Sequence, residues 1–185
     1  MDPVVTPARN VEIKARVADP AALRARVAPL ATASPLIIGQ RDTFFAVARG
    51  RLKLRRFDDG SGRLIFYERD DTTGPKTSYY SMSTCPDARE MEAVLARALG
   101  VRGVVEKRRE LFMIGRTRVH LDDVRGLGHF VELEVVLDPS EAAAEGEREA
   151  HALLATLGVP AAALLGPAYI YLLERRACDR AALSE

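Results

Sequence analysis

The chain has 185 residues, 48% of them hydrophobic and 29% charged, which suits one soluble globular domain with a substantial core and excludes a disordered or membrane-spanning composition. With 27 basic against 26 acidic side chains the net charge is +1, which excludes a surface built for bulk binding of nucleic acid or anionic membranes. Cys85 and Cys178 stand far apart without metal-ligand spacing, so free thiols are expected. The opening MDPVVTPARN lacks the features of a signal peptide, so a cytoplasmic location is expected.

Residues 10 to 17 alternate strictly, with Val11, Ile13, Ala15 and Val17 on one face and Asn10, Glu12, Lys14 and Arg16 on the other, which predicts a strand. Asp19-Pro20 then caps a helix with a Leu23, Val27, Leu30 stripe. Strand character returns through Leu36-Ile-Ile and Thr43-Phe-Phe, with Phe44 and Phe45 on opposite sides. With a turn at Gly50 and another at Asp58 to Gly62, that strand and the segments Arg51 to Phe57 and Arg63 to Arg69 make two hairpins in succession, and Lys53 and Arg55 alternate with Leu52 and Leu54. A short strand is expected around Thr77 to Ser83, then a helix from about Pro86 to Leu99 with Ser83 or Thr84 as cap and Gly100 as its stop. Residues 101 to 114 read as strand, with Lys107 and Arg109 on one side. From Asp138-Pro-Ser-Glu141 a third helix presents Ala150, Leu153, Leu154 and Leu157. Residues 160 to 175 look helical but are broken by Gly166-Pro167, and the last ten look frayed.

The stretch from Gly115 to Glu134 carries the most unusual pattern. Arg116, Arg118, His120 and Asp122 share one side of a strand, and after the Gly126 and Gly128 turn Phe130, Glu132 and Glu134 share one side of the next. A solvated sheet face also alternates polar and apolar. Here, however, the polar positions on nearly every strand are Arg, Lys, Asp or Glu, and three helices carry apolar stripes. A wide antiparallel sheet closed with its apolar faces outward, against those helices, would turn the ionic faces into a polar lumen. Cations and carboxylates lining one lumen suit a polyphosphate held with a divalent metal.

Several segments resemble the CYTH superfamily, the triphosphate tunnel metalloenzymes that include class IV adenylyl cyclases and thiamine triphosphatases. Asn10-Val-Glu-Ile-Lys14 resembles its N-terminal ExExK motif. The likeness continues through Asp42-Thr-Phe-Phe, Leu52-Lys-Leu-Arg55, Tyr67-x-Arg69, Glu106-Lys-x-Arg109, Leu121-Asp-x-Val-x-Gly-Leu-Gly-x-Phe-Val-Glu-Leu-Glu134 and Tyr169-x-x-Leu-Leu173, in order over residues 10 to 173. The resemblance implies an α+β fold: a single domain, residues 1 to 185, with a closed antiparallel eight-stranded β tunnel and helices packed outside.

It also implies that Glu12, Asp122, Glu132 and Glu134 hold Mg²⁺ or Mn²⁺, and that Lys14, Lys53, Arg55, Arg69, Lys76, Lys107, Arg109, Arg116 and Arg118 contact the phosphates. Lys14, Arg55 and Asp122 are the catalytic candidates, Lys14 as a base for water activation. His120 could touch substrate, move protons or serve a structural hydrogen bond; His129 and His151 read as incidental, and Tyr67 and Tyr169 as packing. The leading expectation is a class IV cyclase-like enzyme converting ATP to cyclic AMP and pyrophosphate, because the GLGxF-ExE stretch most resembles that branch. A triphosphatase acting on tripolyphosphate or an organic triphosphate is the alternative, and a non-catalytic binder of polyphosphate or nucleotide the third. The partner is a small triphosphate, with no nucleic acid or membrane, for a monomer or homodimer. Asn10 departs from the family, standing where the first Glu of ExExK is usual.

Overall fold

In the computed structural model, which describes residues 8–182, β1 (Ala8–Arg16) is buried on both faces. Its outward residues Val11, Ile13 and Ala15 are sealed under two helices, while its inward residues Asn10, Glu12 and Lys14 are buried in a lumen. Strict alternation is what permits this, since successive side chains leave a strand on opposite sides.

The remaining elements follow in order. They are α1 (Pro20–Val27), β2 (Leu36–Phe45), β3 (Arg51–Arg56), β4 (Gly62–Glu68), β5 (Lys76–Cys85), α2 (Ala88–Leu99), β6 (Val101–Ile114), β7 (Thr117–Val124), β8 (Gly128–Val136), α3 (Ala143–Thr156), β9 (Leu164–Leu165) and α4 (Tyr169–Ala182). Neighbouring strands pair antiparallel in the order β5-β4-β3-β2-β6-β7-β8-β1, and β1 then pairs with β5, so eight strands close into a barrel. Closure removes the edges that an open sheet would expose. The two-residue β9 continues along the same edge of β1 past the end of β5, at Lys14 and Ala15.

Three apolar clusters hold the barrel. Outside β1, β7 and β8, Val119, Val131, Leu133 and Val135 pack with Leu23 and Val27 of α1 and Ala150 and Leu154 of α3. Outside β2, β3 and β4, Phe45 and Leu54 pack with Ala88 and Leu95 of α2. The third cluster closes one end of the lumen, where Ala168, Tyr169 and Ile170 meet Phe44, Val105 and Phe130. Burying each such side chain is favourable by about 1.5–3 kcal/mol, so the helices are what make an inside-out barrel stable. No helix among the described residues is long and apolar enough to cross a membrane.

Several local expectations need correcting. Asp87, not Ser83 or Thr84, caps α2, accepting from the amides of Arg89 and Glu90 at 3.0 Å each. β5 runs on to Cys85 and keeps the two hydroxyl residues in the strand. α3 starts at Ala143 and not in the Asp138–Glu141 stretch, and it lacks a side-chain cap because its N-cap position is Ala142, whose methyl group accepts no hydrogen bond. Residues 160 to 168 form a 3₁₀ turn and β9 before Pro167, and α4 continues to Ala182 through most of the stretch expected to fray; residues 183–185 lie outside the described residues. The β7–β8 turn does use unusual backbone angles, with φ of +79° at Gly126 and +94° at Gly128.

Candidate functional site

The lumen is a cavity of about 390 Å³ lined by side chains from all eight barrel strands and by Ala168 and Tyr169 at its closed end. Strand order places β8 and β1 across the barrel from β3 and β2. One wall is therefore rich in cations, with Lys53 and Arg55 from β3 and Lys107 and Arg109 from β6, on the other side of β2. The facing wall is acidic, with Glu12 from β1 and Glu132 and Glu134 from β8. A larger open groove of about 1090 Å³ lies outside the barrel, but its charges include surface pairs such as Arg125 with Glu106 and Arg56 with Glu92.

Each pair of basic residues is held by a buried acid. Arg55 donates from Nε and Nη2 to Asp42 at 2.7 and 2.8 Å, and Lys53 donates to the same carboxylate at 2.9 Å. Arg109 donates twice to Asp122, at 2.6 and 2.7 Å, with Lys107 3.5 Å away and the Tyr169 hydroxyl donating at 3.0 Å. Burial would raise both carboxyls, yet the cations, Arg55 for Asp42 and Arg109 for Asp122, hold them well below the usual range. Bidentate guanidinium pairs of this kind fix the donors in space before any anion arrives.

The acidic wall is less settled. Glu132 is 3.3 Å from Lys14 and accepts from Arg109 at 2.8 Å; these cations overcome its burial and keep it ionised. Arg69 stands 3.0 Å from Glu12, whose carboxyl burial nonetheless raises. Arg118 donates to Glu134 at 3.1 Å. Lys14 also lies 4.1 Å above the Tyr169 ring, a cation–π contact that fixes its stem. Among the described residues lining the lumen, Asn10 Oδ1, Gln40 Oε1, Arg69 Nε and His120 Nδ1 have no hydrogen-bond partner. Burial and then Arg109 push His120 below its usual range, so its imidazole is neutral at pH 7.

Most of the residues singled out from the sequence meet in this one lumen, with three differences. Arg116 lies outside it, because the strand begins only at Thr117; its guanidinium binds Glu141 and Glu149 on the barrel's exterior. Lys76 is buried, but its ammonium donates to the carbonyls of Thr72, Leu165 and Gly166 at 2.9, 3.3 and 2.9 Å, which uses all three of its protons. Asp122 is inward yet fully covered, its oxygens taken by Arg109, Lys107 and Tyr169, so it acts on the cations rather than offering a free carboxylate. Asp42 was not among the expected site residues. Its signal was available in the hairpin register, which sets Asp42 opposite Arg55. Tyr169, read as packing, also closes the lumen and bonds Asp122.

Comparison with known families matches the CYTH domain over residues 8–166. The chain belongs to the CYTH family, whose members are generally metal-dependent enzymes acting on triphosphates. Among solved structures, the PH1012 protein of Pyrococcus horikoshii is 22% identical with a TM-score of 0.79, covering 88% of this chain and 98% of its own. A candidate adenylate cyclase of Vibrio parahaemolyticus is 19% identical, TM-score 0.75, covering 91% and 99%. A Hippeastrum protein, described as a candidate adenylyl cyclase with a dominant triphosphatase activity, is 16% identical, TM-score 0.58, covering 85% and 90%. These likenesses show the fold. No curated protein sequence matches the chain.

The residues present fit a divalent cation. Glu132, Glu134 and His120 bring ligand atoms within 4.8 Å of one another, and an unpartnered amide oxygen, that of Asn10, lines the same cavity.

Proposed function

We propose that the protein is a metal-dependent phosphoryl-transfer enzyme that takes an organic triphosphate into its lumen, with cyclisation of ATP to cyclic AMP and pyrophosphate as the leading reaction. The observation that carries this reading is one buried cavity that gathers Lys53, Arg55, Lys107 and Arg109 from β3 and β6 with the carboxylates of Glu12, Glu132 and Glu134 from β1 and β8. Phosphoryl transfer asks a protein for positioning and charge neutralisation more than for covalent chemistry. Lys53, Arg55, Lys107 and Arg109, with Arg118 beyond them, would bind the non-bridging phosphate oxygens; Asp42 and Asp122 hold four of these cations in place. A divalent ion, Mg²⁺ or Mn²⁺, on Glu12, Glu132 and Glu134 would supply Lewis-acid polarisation of a phosphoryl oxygen. Lys14, between Glu132 and Tyr169, is the group placed to move a proton. An organic substituent is favoured over bare tripolyphosphate by the open end, where Leu36, Ile38, Phe57, Met82 and Leu111 line the cavity. We place the enzyme in the cytoplasm, where ATP is at hand.

The same rim favours a second reading. Those five side chains offer a base apolar contact but no hydrogen bonds to its edge, and hydrolysis of a triphosphate needs no base discrimination. The test incubates purified protein with ATP or tripolyphosphate and Mg²⁺ or Mn²⁺ and resolves the products by ion exchange and ³¹P NMR. Cyclic AMP with pyrophosphate is the expected outcome. Orthophosphate release would replace cyclisation with triphosphatase activity, and tight binding without turnover would make the chain a binding module.

A further inference from the structure

We propose that His120 is a nitrogen ligand of the lumen's divalent cation, beside Glu132 and Glu134, and turns the site's preference from Mg²⁺ toward Mn²⁺ and the later first-row ions. This rests on the reading above that the acidic wall holds a metal. Its basis is His120 itself, a residue on which the proposed chemistry makes no other demand.

His120 is only 3% exposed, yet its Nδ1 has no hydrogen-bond partner. Buried polar atoms are paired in the great majority of cases, so an orphan facing a cavity points to something the cavity takes up. Nδ1 lies 3.8 Å from Glu132 Oε2 and 3.6 Å from Glu134 Oε1. Both separations are too long for hydrogen bonds. They suit two donors of one ion: ligand atoms at about 2.0–2.2 Å from a metal stand roughly 3–4.4 Å from each other. The backbone builds this cluster directly, because His120 is the cross-strand partner of Glu132, and Glu134 follows two residues on along the same face of β8.

Asn10 is a second unpartnered group in the lumen, opposite Val136 on β8 and four residues along that strand from Glu132. It is 5% exposed, lines the same cavity from β1, and its Oδ1 is also without a partner. An amide there offers a neutral oxygen where a carboxylate would add a charge. The imidazole of His120 likewise adds a donor to the cavity without adding a charge. Mg²⁺ relies on hard oxygen ligands and dehydrates reluctantly, whereas imidazole suits the later divalent ions. An imidazole beside the two carboxylates therefore favours Mn²⁺, Co²⁺ or Zn²⁺ over Mg²⁺.

The test uses the full chain, titrated separately with Mn²⁺ and Mg²⁺, and pulsed EPR of the Mn²⁺-loaded protein with and without tripolyphosphate. The expected spectrum shows ¹⁴N modulation from a directly bound nitrogen. His120→Gln should abolish it and weaken Mn²⁺ binding roughly tenfold or more, with Mg²⁺ changed by less than about threefold. Absence of nitrogen coupling in the unsubstituted protein under both conditions overturns the proposal, as does an equal loss for both metals or no Mn²⁺ binding at all. The unsubstituted spectrum decides even where the variant fails to fold. Nitrogen coupling without turnover of any triphosphate would leave the ligand assignment standing and remove the enzymatic reading; metal-dependent turnover without nitrogen coupling would do the reverse.

Discussion

A lysine ammonium surrounded by protein loses its hydration, and neighbouring guanidinium groups add repulsion. Lys107 has both, and burial followed by Arg109 brings its pKa down to about 7 despite the attraction of Asp122. Between that value and the ordinary lysine value of 10.5 the unfolded chain holds a proton that the folded chain does not. The penalty to stability is therefore fully present below pH 7 and is relieved as pH rises toward 10.5. A polyanion in the lumen acts the other way, because it favours the charged ammonium. We expect tripolyphosphate binding at pH 8 to take up protons, detected by calorimetry as a binding enthalpy that changes with the ionisation enthalpy of the buffer. Lys107→Met should remove most of that dependence. A buffer-independent enthalpy in the unsubstituted protein would place Lys107 away from the bound anion. The alternation in the sequence put Lys107 on the correct face, but nothing in it signalled the perturbation, which depends on Arg109 and Asp122 converging in three dimensions.

Period-two alternation carried the lumen wherever a strand is long and continuous. Glu12 and Lys14 on β1, Lys53 and Arg55 on β3, Lys107 and Arg109 on β6, and Glu132 and Glu134 on β8 all face inward, as read. It failed where an element ends. Extending the β7 pattern back to Arg116 leaves the strand, which begins at Thr117, and enters the turn made by Gly115, whose φ is +56°, so Arg116 points outside. The same difficulty hid the role of the C-terminal segment, whose Gly166-Pro167 break reads as an interrupted helix. Gly166 leaves room for the Asp71 backbone, since an added Cβ would stand 2.0 Å from the Asp71 carbonyl oxygen, and this close approach carries the chain to α4. Tyr169 then enters the barrel end, edge-on to Phe130 with ring centroids 4.9 Å apart. Tyr169→Phe deletes one hydrogen bond to Asp122 and should cost about 1 kcal/mol in chemical denaturation. Tyr169→Ala also removes the ring beneath Lys14 and should cost about 3–5 kcal/mol. Equal effects would mean that the hydroxyl, and not the ring, holds α4 in place.

At the level of the whole molecule, a net charge of +1 conceals a segregated distribution. The outer sheet faces give their apolar residues to the helices, and the lumen keeps a cluster of cations at close quarters. Asp42 and Asp122 neutralise part of that charge, but a wall carrying Lys53, Arg55, Lys107 and Arg109 still has more positive charge than these two acids can balance. Such crowding stabilises the compact state less than a neutral interior would, and a ligand that supplies the missing negative charge should repay it. Across the lumen Glu12, Glu132 and Glu134 gather on β1 and β8, each already met by a cation, Arg69, Lys14 and Arg118 respectively. A triphosphate alone would meet repulsion from these carboxylates, and a cation alone would meet repulsion from the basic wall. Each ligand removes the obstacle to the other, so their binding should be cooperative, and thermal unfolding is where this would be read. Tripolyphosphate at a hundred times its dissociation constant, with saturating Mn²⁺, should stabilise the fold by about 2.7 kcal/mol or more and raise Tm by roughly 5–10 °C. Either ligand alone at the same concentration should give less than half of that rise. If the two separate shifts simply add to the combined one, the walls do not share a common ligand complex, and the tunnel would have to be treated as two independent ion sites.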